Sequence, residues 1–118
     1  MIELELHRAP GELRRTRQAV RAAVTSQGLD ATHAVEVAAV VNELVSTARE
    51  CRVTSPLRLT IVTYGRLTSV RVRCDRDVEV RDEPFAVRER LLGGLTFAFG
   101  RRGRADGSVD LWAEIVTS

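Results

Sequence analysis

Apolar and polar positions alternate with a period of two in four segments of the chain: residues 2–7, 57–64, 67–74 and 108–117. This period is typical of a strand that buries one face. The second and third segments are separated by a Gly-Arg pair alone, which predicts an antiparallel hairpin. We therefore predict four strands, two of which are paired directly through a tight turn.

Two segments between the first strands have helical periodicity. Residues 11–29 place apolar side chains on one side and arginines on the other. Gly28 is suited to end this helix, and Asp30 is suited to cap the next one. Residues 31–52 form a longer and mostly apolar helical segment. We predict that this second helix is buried on more than one side.

The region after residue 74 has weaker signals. Residues 75–84 are highly charged and end in a proline, so we predict a loop with a short strand at 78–80. Residues 85–100 are predicted to be a helix, although it is weakened by two adjacent glycines. Residues 101–107 are predicted to be a basic turn.

The predicted element order is β-α-α-β-β-loop-α-β. It favours an α+β fold, a two-layer sandwich in which a mixed, mostly antiparallel sheet carries helices on one face. The 118 residues suit a single domain spanning 1–118. Only 4% of residues are aromatic, so the core must be aliphatic.

All 18 basic residues are arginines, which excludes chemistry that needs a lysine, such as a Walker-type phosphate lysine. Net charge is only +2, because 16 acidic residues lie among the arginines. The basic turn with Arg101, Arg102 and Arg104 has no aromatic platform within it. We therefore expect no nucleic-acid partner.

Cysteine and hydropathy patterns indicate a cytoplasmic protein. Cys51 and Cys74 are too few for a metal site without nearby histidines, and we expect two buried thiols in a reducing compartment. No apolar run approaches the length of a membrane span. We expect cytoplasmic localisation and no membrane partner.

Four segments resemble motifs of the GHKL (Bergerat-fold) ATPase domain, and most closely those of the small anti-sigma-factor serine kinases. They are "TRQAVRAAV" in the first helix, "VVNELVSTARE" in the second, "VRVRCD" at the end of a strand and "GSVDLWAEI" in the last strand. The resemblance covers nearly the whole chain, and it implies the Bergerat form of the two-layer sandwich.

The resemblance places Glu43 at the position of the catalytic base and Thr47 at the position of the Mg²⁺ ligand. The family has an asparagine where this chain has Thr47. A hydroxyl is a weaker ligand than an amide carbonyl, so Mg²⁺ is held weakly or through a water. Glu43 is then either an active base or a remnant of one.

Asp75 resembles the adenine-binding aspartate, and Asp77 occupies the place of a glycine that lets the chain pass close to the base. The family's glycine-rich phosphate cradle aligns with residues 86–89, where this chain has no glycine. Asp75 and Asp77, together with Thr47 on the phosphate side, are the nucleotide-binding positions that the resemblance implies.

These departures predict a degenerate domain that binds a protein rather than ATP. The expected partner is a sigma factor, an anti-sigma antagonist or a related regulator, with contacts in residues 2–24 and a homo- or heterodimer as the assembly. Leu91, Leu92, Phe97 and Phe99 are expected to fill the former pocket or the core. The alternative is an active serine/threonine kinase that uses ATP and Mg²⁺.

Overall fold

The computed structural model describes residues 1–51, 53, 55–75 and 93–116. The predicted loop and short strand after Asp75, and the first half of the predicted third helix, lie outside these residues. The described elements are β1 (Ile2–Leu6), α1 (Glu12–Ser26), α2 (Ala31–Glu50), β2 (Leu57–Tyr64), β3 (Leu67–Cys74), β4 (Ala98–Gly103) and β5 (Val109–Val116).

The strands form one five-stranded sheet in the order β1-β2-β3-β5-β4. All four pairings among the described strands are antiparallel. The β2–β3 hairpin turns at Gly65 and Arg66, as the sequence predicts. The expected α+β class is confirmed, with an antiparallel sheet where a mixed one was expected.

One aliphatic core joins the sheet to both helices. The sheet contributes the odd-numbered residues of β2 and β5 and the even-numbered residues of β1 and β3, which alternate with exposed or half-buried positions. Helix α2 contributes ten buried residues, which confirms that it is buried on more than one side. The two described helices thus cover one face of the sheet. Among the described residues, no helix is long and apolar enough to cross a membrane.

The helix ends follow the sequence signals. Gly28 adopts a φ of 87°, a left-handed conformation that ends α1 at little steric cost. Asp30 accepts a hydrogen bond of 2.7 Å from the backbone N–H of His33 and so caps α2. The buried ring of His33 lies 3.0 Å from the Thr68 hydroxyl, which ties the start of α2 to β3.

Strand β4 corrects the sequence prediction. Its residues were assigned to the end of a helix and to a basic turn, yet only 93–95 are helical among the described residues after 92. Backbone pairing with β5 stabilises this segment more than its weak helical pattern can. Phe97, expected in the core or the former pocket, is 75% exposed, whereas Phe99 packs against the core.

Gly100 has a specific packing role in β4. A Cβ built there would lie 2.9 Å from Cζ2 of Trp112, so the indole occupies the space that a side chain would need. Trp112 therefore lies across the edge strand, on the same sheet face as Arg102. Trp112 is thus a half-buried aromatic side chain beside the basic segment, although the segment itself contains none.

A buried ion pair connects the first helix to the end of the second. Nη2 of Arg49 donates to Glu12 Oε1 at 2.7 Å, and the two side chains are only 13% and 9% exposed. Nη1 of Arg49 also donates to the carbonyl oxygens of Val53 at 2.7 Å and Ser55 at 2.8 Å. One guanidinium thus holds α1, α2 and the connection to β2 together.

Substitution of Arg49 by glutamine should lower the free energy of unfolding by about 3 kcal/mol, because Glu12 is left as a buried charge without its partner. Urea denaturation followed by circular dichroism measures this loss. Arg8→Gln, at an exposed position, is the matched control and should change stability by less than about 0.5 kcal/mol. Equal effects of the two variants would contradict a structural role for the pair.

Candidate functional site

Glu43 lies on α2 and is half-buried. It forms part of the wall of a groove between α1 and α2, together with Arg14, Arg17 and Arg21 of α1. Its carboxylate therefore stands in a basic environment at the surface of the helical layer. This placement is open to a ligand or a partner protein.

Thr47 lies one helical turn after Glu43 but has no exposed surface. Its hydroxyl donates a hydrogen bond of 2.8 Å to the backbone carbonyl of Glu43. Such a bond to the preceding turn is a local way to satisfy a buried threonine within a helix. The Thr47 hydroxyl is therefore buried and hydrogen-bonded within α2, and its role as a Mg²⁺ ligand stays a prediction.

Asp75 is exposed and follows directly after β3. The buried thiol of Cys74 precedes it, and burial raises the pKa of that thiol from 9.0 to about 12, with smaller effects from Cys51, Arg49 and Asp110. Cys51 and Arg49, at the end of α2, affect the pKa of Cys74, at the end of β3, so these two ends lie near each other. The expectation of two buried thiols holds for Cys74, whereas Cys51 is half-buried.

Several expected site residues lie outside the described part of the chain. Asp77 is one, and the cradle position at 86–89 is another. Leu91 and Leu92 lie outside it as well. Within the described residues, no group of three or more His, Cys, Asp and Glu side chains is arranged to hold a metal ion.

The groove between α1 and α2 is a basic concave surface of the helical layer. It encloses about 510 Å³ and carries three arginines of α1 against one carboxylate, Glu43. The arginines are exposed and have no hydrogen-bonded or ion-pair partner among the residues that the structure describes. Its floor is apolar, with Val35 48% exposed.

Asn42 adds an unsatisfied polar atom to this groove. Its side-chain oxygen is buried and has no hydrogen-bond partner among the described residues. Buried polar atoms usually have a partner, so this oxygen is an exception among the described residues. Because the atom itself is buried, the features that the groove exposes are its positive charge and its apolar floor.

The sequence contained a signal for this surface that motif comparison overlooked. Arg14, Arg17 and Arg21 follow the i, i+3, i+7 spacing of one helix face. The matching wall, formed by Ala38, Ala39 and Asn42 of α2, depends on how the two helices pack. It could not be assigned from periodicity alone.

Comparison with protein-family models and with curated proteins finds no match for this chain. The GHKL resemblance remains a hypothesis based on the four sequence segments.

The free energy of unfolding should fall as pH rises above 9, because the unfolded chain releases the Cys74 proton while the folded chain retains it up to about pH 12. The free energy of unfolding should fall by about 1.4 kcal/mol per pH unit, within the pH range in which the folded and unfolded states can both be measured. Denaturant unfolding at several pH values, with reductant present, measures it. Cys74→Ala should remove this slope and Cys51→Ala should retain it; equal slopes in the two variants would refute the assignment.

Proposed function

We propose that this chain is a regulatory protein-binding module, a Bergerat-fold domain of the GHKL type whose ATP and Mg²⁺ site is degenerate. It acts by binding a sigma factor, an anti-sigma antagonist or a related regulator in the cytoplasm. The observation that carries the proposal is the α1–α2 groove, where three exposed arginines without a partner in the described part of the chain lie above an apolar floor. The binding involves no nucleic acid and no membrane.

The composition of the groove fits an amphipathic helix from a partner protein. Its apolar floor suits the apolar stripe of such a helix, and Arg14, Arg17 and Arg21 suit acidic side chains along its flank. Arginine forms forked hydrogen bonds with carboxylates and is enriched in protein interfaces. Most of the first helix, including the three groove arginines, lies within residues 2–24, where the resemblance implies partner contacts.

The inward position of Thr47 supports a degenerate nucleotide site. A cation bridging phosphates needs ligand oxygens that face the ligand, whereas this hydroxyl is buried and hydrogen-bonded to Glu43 O. An asparagine at this position would have to turn outwards or displace core atoms. The chain is therefore proposed to act without phosphate transfer.

Isothermal titration with ATP or ADP should give no binding heat, with or without Mg²⁺, because the proposed site lacks its metal ligand. Thermal shift at millimolar nucleotide provides a second measurement. Binding at micromolar strength that depends on Mg²⁺ would overturn the degenerate-site proposal and favour the alternative, an active serine/threonine kinase. In that case Glu43→Ala should abolish transfer while nucleotide still binds.

Charge reversal in the groove should weaken the partner complex. We expect Arg17→Glu to reduce affinity for a bound sigma factor or antagonist at least tenfold, since it places a carboxylate opposite an acidic partner. Titration against a panel of purified sigma factors and antagonists measures this. Arg15→Glu is the matched control, two residues away on α1 and outside the groove. Equal losses in both variants, or a panel without any binder, would count against the proposal.

A further inference from the structure

The sheet has a second face, opposite the helices, which we call the open face. It is formed by the odd-numbered residues of β1 and β3 and the even-numbered residues of β2, β4 and β5. It carries a shallow groove of about 450 Å³ beside Trp112. Tyr64 is 70% exposed and Val116 50% exposed at one end of this face. These two side chains are exceptions on a face whose other positions are mostly polar or charged, as is usual for the solvated face of an antiparallel sheet.

Charge is distributed unevenly across the open face. The edge strand β1 presents Glu3 and Glu5, whereas the opposite edge strand β4 presents Arg102. One cross-strand row follows the register from Glu5 to Arg58, Arg73, Asp110 and Arg102. The face therefore has an acidic edge and a basic edge.

We propose that the open face binds a second copy of this chain, forming a face-to-face dimer about a two-fold axis that runs along β3. The central strand of five then lies over its own copy. The same rotation places β1 over β4 of the second copy, and β2 over β5. The acidic edge of each copy meets the basic edge of the other, which is the self-complementarity that a two-fold interface requires.

The strand register identifies the matched pairs. Glu5 faces Arg102 of the second copy, because both lie in one cross-strand row. Tyr64 faces Val116 of the second copy in the row at the other end of the sheet, where β2, β3 and β5 pair. Each pair occurs twice. A two-fold axis across the strands would instead place Tyr64 over the charged row.

In this arrangement Arg71 lies beside the two-fold axis, close to Arg71 of the second copy. It lies on the central strand, opposite Trp112 in the register, and is exposed. Glu114 of the second copy lies on the neighbouring strand, in the next cross-strand row of the same face. The long arginine side chain can reach it. Arg73 also lies on the central strand and faces its own copy; it is paired with Asp110 at 3.0 Å, and this carboxylate is shared with Arg104 at 3.1 Å.

The size of the face is adequate for a dimer. Five strands of up to eight residues span roughly 24 Å by 27 Å at standard strand spacing and rise. The resulting area of about 650 Å² approaches the roughly 800 Å² per partner of a standard interface. Two sheets with aligned strands also pack well face to face. The α1–α2 groove lies on the other side of the molecule, so the dimer does not depend on the proposed function.

Reciprocal charge reversal tests the dimer. Sedimentation equilibrium of the wild-type chain should give a dimer. Glu5→Arg and Arg102→Glu should each lower the affinity of the dimer about 100-fold, since each variant places two like-charged pairs in the interface. Both positions are exposed in the monomer, so the variants should fold. An equimolar mixture of the two variants should restore the dimer, because every charge pair is then complementary. Arg17→Glu is the control on the helical side and should leave the dimer intact.

The single tryptophan gives an independent readout of the same face. The emission of Trp112 should shift to shorter wavelength as the dimer forms, and should return when the interface is broken. A monomeric wild type at ~100 μM, a mixture that stays monomeric, or a dimer disrupted by Arg17→Glu would overturn the proposal. None of these results changes the groove experiment, in which partner affinity is measured separately.

Discussion

The arrangement of the helical layer depends on the contact between Arg49 and Glu12. Arg49 is near the end of α2 and Glu12 begins α1, so their ion pair fixes the two helices side by side. The same guanidinium donates to two carbonyl oxygens in the connection that leads to β2. A buried charge is costly unless it is paired and hydrogen-bonded. This arrangement meets both conditions.

The candidate protein-binding groove lies between the same two helices. The groove arginines of α1 have no acidic partner among the described residues, while Arg73 of the central strand and Arg104 share the carboxylate of Asp110. Positive charge without a described partner therefore remains in this groove. A partner with acidic side chains would neutralise it, which is why we relate the groove to regulation.

The two sides of the molecule suit different contacts. The helical side has a basic groove with an apolar floor, whereas the open face carries an acidic edge, a basic edge and exposed aromatic side chains. A dimer through the open face would leave both grooves exposed. One assembly could then present two equivalent surfaces to a regulator, and two linked sites can bind more strongly than either does alone.

The sequence by itself determined the four alternating strands, the two long helices, their caps and the α+β class, because these follow from local periodicity and from residues such as Gly28 and Asp30. Strand β4 depends on pairing with β5 and on the fit of Trp112 over Gly100, and neither appears in a local pattern. The spacing of Glu43 and Thr47 predicted one shared face. The packing of α2, buried on more than one side, instead turned Thr47 into the core and left Glu43 in the groove, because helix burial is decided by neighbouring elements.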